Sequence, residues 1–281
     1  MTVTRFAPSP TGLLHLGHAF AAIMAEKAGD RFLLRIEDID TSRLRAEFVD
    51  AIYEDLHWLG LRWEEPVLRQ STRGDAYRTA LNVLEGKDLL YPCFCTRKEI
   101  ADEIARASEA PHFDSLLASQ AGPDGPIYPG TCRHLTKTER EERIARGEAY
   151  ALRLDAAKAA TLAGPLTFSE HGEMRVVDPL LFGDVVLARK DIPAAYHLAV
   201  VVDDAHQGVT LVTRGEDLLP AVHIQRVLQA VMDLPEPAYA HHRLILDANG
   251  KKFSKRDGAV TLRSLRAEGL TPFLIRLRLG V

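Results

Sequence analysis

The chain has 281 residues, 46% of them hydrophobic and 26% charged, with a net charge of −4 and a sequence pI near 6.3. Such a composition excludes a disordered or fibrous chain and fits one large or two modest globular domains with a substantial buried core. The slight acidity excludes a globally basic nucleic-acid footprint but leaves room for a local basic face.

The N-terminus carries no basic stretch followed by an apolar core, so no signal peptide is expected. The longest apolar run, Leu198 to Val202, is too short to cross a bilayer. Three cysteines, two of them in Cys93-x-Cys95, suit a reducing compartment and metal binding better than a disulfide framework. A cytoplasmic protein without a membrane partner is expected, and no exposed heptad suggests more than a monomer.

In chain order, Val3 to Ala7 reads as a short strand that enters the Pro/Gly loop Pro8-Ser9-Pro10-Thr11-Gly12. A helix over about Ala19 to Lys27 follows directly behind His15-Leu16-Gly17-His18. Arg31 to Ile36 is a second strand, ending in Glu37-Asp38-Ile39-Asp40. Strand, loop, helix and strand within forty residues make a βαβ unit and hence a parallel sheet, whose ligands sit at the carboxyl ends of the strands. Asp40-Thr41-Ser42 can cap the next helix, whose apolar positions Phe48, Ile52, Leu56 and Leu59 end at Gly60. Trp63 to Pro66 reads as a connection, Arg73 to Glu85 as a helix and Leu89 to Phe94 as a strand.

Residues from about Arg97 to Ala121 suggest a helix and then a surface loop. A turn-rich stretch at Gly122 to Pro126 precedes Tyr128-Pro129-Gly130-Thr131-Cys132, and a charged helix covers Lys137 to Arg146. Short strands are expected at Tyr150–Leu154, Leu166–Ser169, Val176–Val177, Asp184–Ala188 and Val209–Val212. The apolar run Tyr196 to Val202 reads as a strand buried on both faces. A helix over Leu218 to Met232, a strand-like piece at His241 to Leu246 and two short helices complete the chain.

Two stretches carry chemistry. The helix start behind His15 and His18 points unpaired N–H groups at an anion, and the imidazoles can donate hydrogen bonds to phosphate oxygens; alternatively they only pack and cap the turn. Lys251-Lys252-Phe253-Ser254-Lys255-Arg256 places four cations around one serine. It is either a solvated basic loop or a source of charge for a transferring phosphate. Together the two describe an adenine-nucleotide site. Cys93, Cys95 and Cys132 are either buried structural cysteines or part of a four-ligand zinc site, with Tyr128 or His134 available as the fourth group.

The Phe6-to-Gly12 loop, His15-Leu16-Gly17-His18, Arg35-Ile36-Glu37-Asp38-Ile39-Asp40-Thr41-Ser42-Arg43 and Lys252-Phe253-Ser254-Lys255-Arg256 together resemble class I aminoacyl-tRNA synthetases of the glutamyl/glutaminyl branch. The likeness runs to about Gly258. The basic loop has Phe253 and Arg256 where the commonest family pattern has Met and Ser. The resemblance implies an α/β, Rossmann-type catalytic fold with an inserted zinc-bearing subdomain. Its activity would be activation of L-glutamate by ATP, with Mg²⁺, to glutamyl-adenylate.

It also implies catalytic roles for His15, Gly17, His18, Lys252, Ser254 and Lys255, with His15, Gly17, His18 and Lys255 on the ATP. Glutamate has two carboxylates and an ammonium, which call for arginine forks and a carboxylate. The family's carboxylate binders match Arg5 and Arg214, its ammonium partner Glu37 and its aromatic wall Tyr196, with Phe6, Ala7, Pro8 and Ser9 lining the loop beneath. Cys93-x-Cys95 … Tyr128-x-x-x-Cys132 is similar to the structural zinc site of a small branch of that family, the glutamyl-Q tRNA(Asp) synthetases.

The expected organisation is a first half of the catalytic fold over 1–88, the insert over 89–153, the second half over 154–248, and the lysine-loop segment with short helices over 249–281. About two dozen residues after Lys255 are too few for an anticodon-binding domain. That favours the glutamyl-Q branch, whose acceptor is the queuosine base in the anticodon of tRNA(Asp). A local basic face, at Arg97, Lys98, Arg140, Arg143, Arg263 and Arg266, would meet the RNA. The alternatives are a free-standing half that charges a tRNA 3′ end and a non-catalytic nucleotide- or tRNA-binding paralogue.

Overall fold

The computed structural model describes residues 1–40, 44–109, 121–246 and 260–281. The lysine-loop residues Lys252, Ser254 and Lys255, with Thr41 and Ser42, lie outside them.

The first βαβ unit is β1 (Val3–Phe6), α1 (Leu16–Ala28) and β2 (Arg31–Ile36). β1 and β2 are parallel, with Val3 opposite Arg31 and Phe6 opposite Leu34. Both strands are buried almost throughout, as in a sheet covered on two faces. α2 (Ala46–Trp58) follows, with Arg45 as its N-cap and no side-chain cap bond. The Asp40–Ser42 cap expected from sequence is therefore not the start of this helix. Its buried residues Val49, Ile52 and Leu56 repeat at helical spacing.

Glu64 to Arg69 then form β3, parallel to β2, where a plain connection is expected from sequence. Pro66 obscures the strand, but β3 ends the order β1-β2-β3, and an edge strand tolerates a missing N–H donor.

α3 (Gly74–Gly86) leads into the stretch expected as an insert, which contains β4 (Leu90–Cys93), α4 (Arg97–Glu109), the short pair β5 (Ala121–Gly122) and β6 (Gly125–Pro126), α5 (Lys137–Ala145) and β7 (Ala151–Leu154). The chain continues through α6 (Ala156–Ala163), a helix without a clear sequence signal, the hairpin β8 (Thr167–Glu170) and β9 (Glu173–Val176), and β10 (Val186–Arg189). β10 and β4 flank β7 in an antiparallel sheet, so the insert's sheet takes its third strand from later in the chain.

Tyr196 to His206 is helix α7, not the strand that its apolar run suggests. Its residues from His197 to Val201 are all buried, and a helix packed on every side has the same continuous apolar look as a doubly covered strand. β11 (Leu211–Gly215), α8 (Ala221–Val231) and β12 (Ala238–His242) form the second parallel half, in the order β11-β12-β8-β9. β12 thus begins before the stretch expected from sequence. The halves meet where Thr210 N–H donates to the Val3 carbonyl at 3.0 Å. α9 (Leu262–Ala267) and α10 (Pro272–Leu279) close the chain against α1 and α2 through Leu262, Leu265, Ile275 and Leu279. No helix among the described residues is long and apolar enough to cross a membrane.

Candidate active site

Helix α1 is capped by its own histidines. His15 is the N-cap: its Nδ1 accepts the Gly17 N–H at 3.1 Å, and His18 Nδ1 accepts the His15 N–H at 3.2 Å. With both δ nitrogens accepting, each neutral ring carries its proton on Nε2, the donor form that suits an anion at a helix N-terminus. A Cβ at Gly17 would stand 3.1 Å from His15 Cε1, so glycine keeps room for the capping ring. The capping expected as the plain alternative is thus present, and it is compatible with a donor role. The chain segment after the lysine loop returns to this point: Leu262 N–H donates to the Leu14 carbonyl at 2.8 Å, and Thr261 bridges to His15.

In front of the strand ends lies a cleft of about 530 Å³. It is lined by Arg5, Phe6, Ala7, Pro8, Ser9, His18, Glu37, Tyr196 and Arg214, nine of the residues singled out by sequence, together with Thr213 and Gly215 from the end of β11. A second cleft of about 390 Å³ shares Ser9, Thr11, Glu37 and Tyr196 with the first and adds Asp40, Gln70 and Arg189.

The cleft's two arginines are held differently. Arg5 is buried and forks onto Asp204, with Nε 2.9 Å from Oδ1 and Nη2 3.3 Å from Oδ2, while Nη1 donates to the Thr213 carbonyl. Arg35 joins the same carboxylate at 2.7 Å and stands 3.6 Å from Glu37. Burial works against these charges, but Asp204 and Glu37 still hold Arg35 above its ordinary pKa. Arg5 and Arg35 in turn hold Asp204 below its own. For Glu37 burial wins over Arg35 and Arg5, and its pKa rises. Neighbouring Asp203 accepts from Gln70 at 3.0 Å, Arg73 at 3.1 Å and the Tyr77 hydroxyl at 2.7 Å.

Arg214 has neutral anchors. Its Nε donates to His241 Nε2 at 3.1 Å and its Nη1 to the Tyr196 hydroxyl at 3.2 Å; its Nη2 is buried with no hydrogen-bond partner among the described residues. Among the described residues no carboxylate pairs with it. Asp204, Arg35, Glu170 and His241 are site residues that sequence reading misses. Asp203-Asp204 could have been found as the charged end of an otherwise apolar helix, since a buried acid needs a partner.

Cys93, Cys95 and Cys132 place their sulfurs within 4.8 Å of one another. The Tyr128 hydroxyl lies 3.4 Å from Cys93 Sγ and 3.5 Å from Cys95 Sγ. All three cysteines are free thiols. Sulfurs bound to one zinc at about 2.3 Å would be about 3.8 Å apart, so this cluster fits a tetrahedral ion. A hydrogen bond from Cys93 brings Cys132 down to about 6, toward the thiolate that a metal requires. Among the described residues His134 is not in the group. The cluster packs with Tyr91 and Phe94 and gives the insert its own small core.

Residues 1–280 match the family model of the class I tRNA synthetases (E and Q), catalytic domain. The chain is 47% identical to a glutamyl-Q tRNA(Asp) synthetase of Rhodobacter capsulatus, over 99% of this chain and 100% of that one. It is 40% identical to glutamate–tRNA ligase 1 of Methylococcus capsulatus, over 96% of this chain and 56% of the relative. A crystal structure of a glutamate tRNA ligase from Elizabethkingia meningosepticum, in complex with its amino acid, superposes with a TM-score of 0.73 at 30% identity, over 92% of this chain and 52% of that one. The chain is therefore a ligase of the class I tRNA synthetases of the glutamyl and glutaminyl type, and within them it belongs to the family of the glutamyl-Q tRNA(Asp) synthetases.

Proposed function

We propose that the chain activates L-glutamate with ATP, without needing tRNA, and then transfers the glutamate to the queuosine base in the anticodon of tRNA(Asp). In the first step a carboxylate oxygen of glutamate attacks the α-phosphorus of ATP. The bond to pyrophosphate breaks and glutamyl-adenylate forms. In the second, a hydroxyl of the queuosine cyclopentene ring attacks the activated carbonyl carbon and loses its proton, and AMP leaves.

The observation that carries this reading is the cation Arg214, whose buried Nη2 lacks an acceptor among the described residues in a cleft that Glu37 also lines. A buried guanidinium donor without a partner is costly, and a ligand carboxylate supplies the partner. Glu37 then faces the ammonium. Arg5 takes part from the cleft floor, while Phe6, Ala7, Pro8, Ser9 and Tyr196 form the walls. Gly17 lets the backbone approach, the Nε2–H groups of His15 and His18 reach phosphate oxygens, and Lys252 and Lys255 supply positive charge and Ser254 a hydroxyl to the same phosphates, with Mg²⁺ accompanying ATP. Positioning and charge stabilisation carry the chemistry, without a covalent protein nucleophile.

The second cleft suits the acceptor nucleoside, because it shares Tyr196 and Glu37 with the first. Cys93, Cys95, Tyr128 and Cys132 hold a structural zinc that fastens the insert. The Rhodobacter relative, matched over its whole length, supports the queuosine acceptor. The first step is tested by glutamate-dependent exchange of pyrophosphate into ATP in the absence of RNA. Exchange is expected for the native chain and its loss for Lys255→Ala; no exchange by the native chain, or unchanged exchange by the variant, contradicts the reading.

A further inference from the structure

Arg214 reaches the cleft through a chain of buried groups that the reaction itself does not use. Arginine only donates, so His241 Nε2 must be the acceptor of the Arg214 Nε–H. The ring proton is then on Nδ1, which donates to Glu170 Oε2 at 2.8 Å. The other oxygen of Glu170 accepts the His241 backbone N–H at 2.9 Å. Glu170 and His241 are 2% and 7% exposed, so these bonds are shielded from water.

The groups facing His241 are Glu170 and His171 at the end of β8 and Arg214 from β11, with Tyr239 stacked beside it on β12 and Tyr196 reaching Arg214 from α7. Burial, followed by the charge of Arg214, lowers the His241 pKa to about 4 against the pull of Glu170, which keeps the ring neutral.

We propose that Glu170 and His241 are positioning residues that orient Arg214 for a carboxylate of the substrate while leaving its charge unspent. This rests on the reading of Arg214 as a glutamate binder. A carboxylate placed directly on Arg214 would orient it equally well but would compete with the ligand, as Asp204 does at Arg5. An imidazole between Glu170 and Arg214 passes on the orientation and keeps the anion one ring away. With Nε held by His241 and Nη1 by Tyr196, the guanidinium is pinned at two points and Nη2 is left for the ligand. Its rotamer entropy is spent before glutamate arrives.

Pyrophosphate exchange, with KM for glutamate and for ATP measured separately, tests the proposal. Glu170→Gln and His241→Leu are expected to raise the glutamate KM about tenfold, equivalent to about 1.4 kcal/mol, and to leave the ATP KM unchanged. His241→Gln keeps an acceptor oxygen for the Nε–H and is expected to recover part of the loss. A merely structural role would lower the active fraction, and with it kcat, without moving the glutamate KM; that result overturns the proposal. If the native chain is active and Arg214→Ala is not, yet all three variants keep the native glutamate KM, this inference fails alone. If the native chain shows no glutamate-dependent exchange, the functional reading fails and takes this one with it.

Discussion

The two ends of the cleft solve the problem of a buried arginine in opposite ways. At the ends of β1 and β2, Arg5 and Arg35 converge on Asp204, and the charges of protein groups satisfy one another. At the end of β11, Arg214 is anchored by an imidazole and a phenol that carry no charge. The first arrangement builds a rigid floor and joins the two halves of the fold, since Asp204 lies on α7 while Arg5 and Arg35 lie on the first sheet. The second leaves a cation that no carboxylate among the described residues pairs with. On the proposed reading, the difference separates a residue that holds the site together from one that waits for substrate, although both are buried arginines at strand ends.

Breaking the floor should have the largest effect. Asp204→Ala takes the shared carboxylate from two buried guanidinium groups, leaving Arg35 with Glu37 at 3.6 Å as its nearest counter-charge among the described residues, and is expected to cost about 3–5 kcal/mol of stability by denaturant unfolding. Arg214→Ala, by contrast, removes a cation that no carboxylate among the described residues relies on. Glutamate kcat/KM should fall about 100-fold, from the loss of a hydrogen bond to a charged group worth about 1.5–3 kcal/mol, with little change in the melting temperature. A melting loss as large as that of Asp204→Ala would erase the distinction between the two arginines.

The cysteine cluster offers a third, separate region. Cys132→Ser, or exposure to a strong chelator, is expected to remove bound zinc and lower the melting temperature while the glutamate KM stays put. Zinc content unchanged in the variant would rule out this ligand set.

The smallest effect belongs to Asp55 on α2, a buried acid whose two oxygens have no hydrogen-bond partner among the described residues. Burial, opposed by Arg266 at 4.0 Å, raises its pKa from 3.8 to about 6. The unfolded chain releases this proton first as pH rises, so stability is lost between those values and the penalty is complete above about 6. Asp55→Asn should therefore stabilise the fold at pH 8 by about 1 kcal/mol, in line with an unpaired buried polar group, and hardly at all at pH 4. Equal stabilisation at both values would contradict it.

What could be read from sequence was what is local. The strand, Pro/Gly loop and capped helix at Val3–Ala28 follow from apolar periodicity and from a His-x-Gly-His at a helix start. The cysteine cluster follows from spacings within forty residues. Lining residues Arg5, Glu37, Tyr196 and Arg214 were reachable only through family likeness, because nothing in their neighbourhoods distinguishes the three charged ones from surface charges or Tyr196 from an ordinary member of an apolar run. The partners that decide how each arginine behaves were hidden by distance: Asp204 lies 199 residues from Arg5, and Glu170 lies 71 from His241. Mistaking α7 for a strand hid Asp203 and Asp204 as well, since a chain buried on all sides shows no period by which to choose.

The central claim concerns the acceptor, and one paired assay addresses it. Labelled glutamate and ATP are supplied with tRNA(Asp) that contains queuosine and with the same tRNA lacking it. The account predicts that label enters only the queuosine-containing tRNA and stays with its anticodon stem-loop after nuclease cleavage. Transfer to both forms alike, or to the 3′ end of tRNA(Glu), would contradict it.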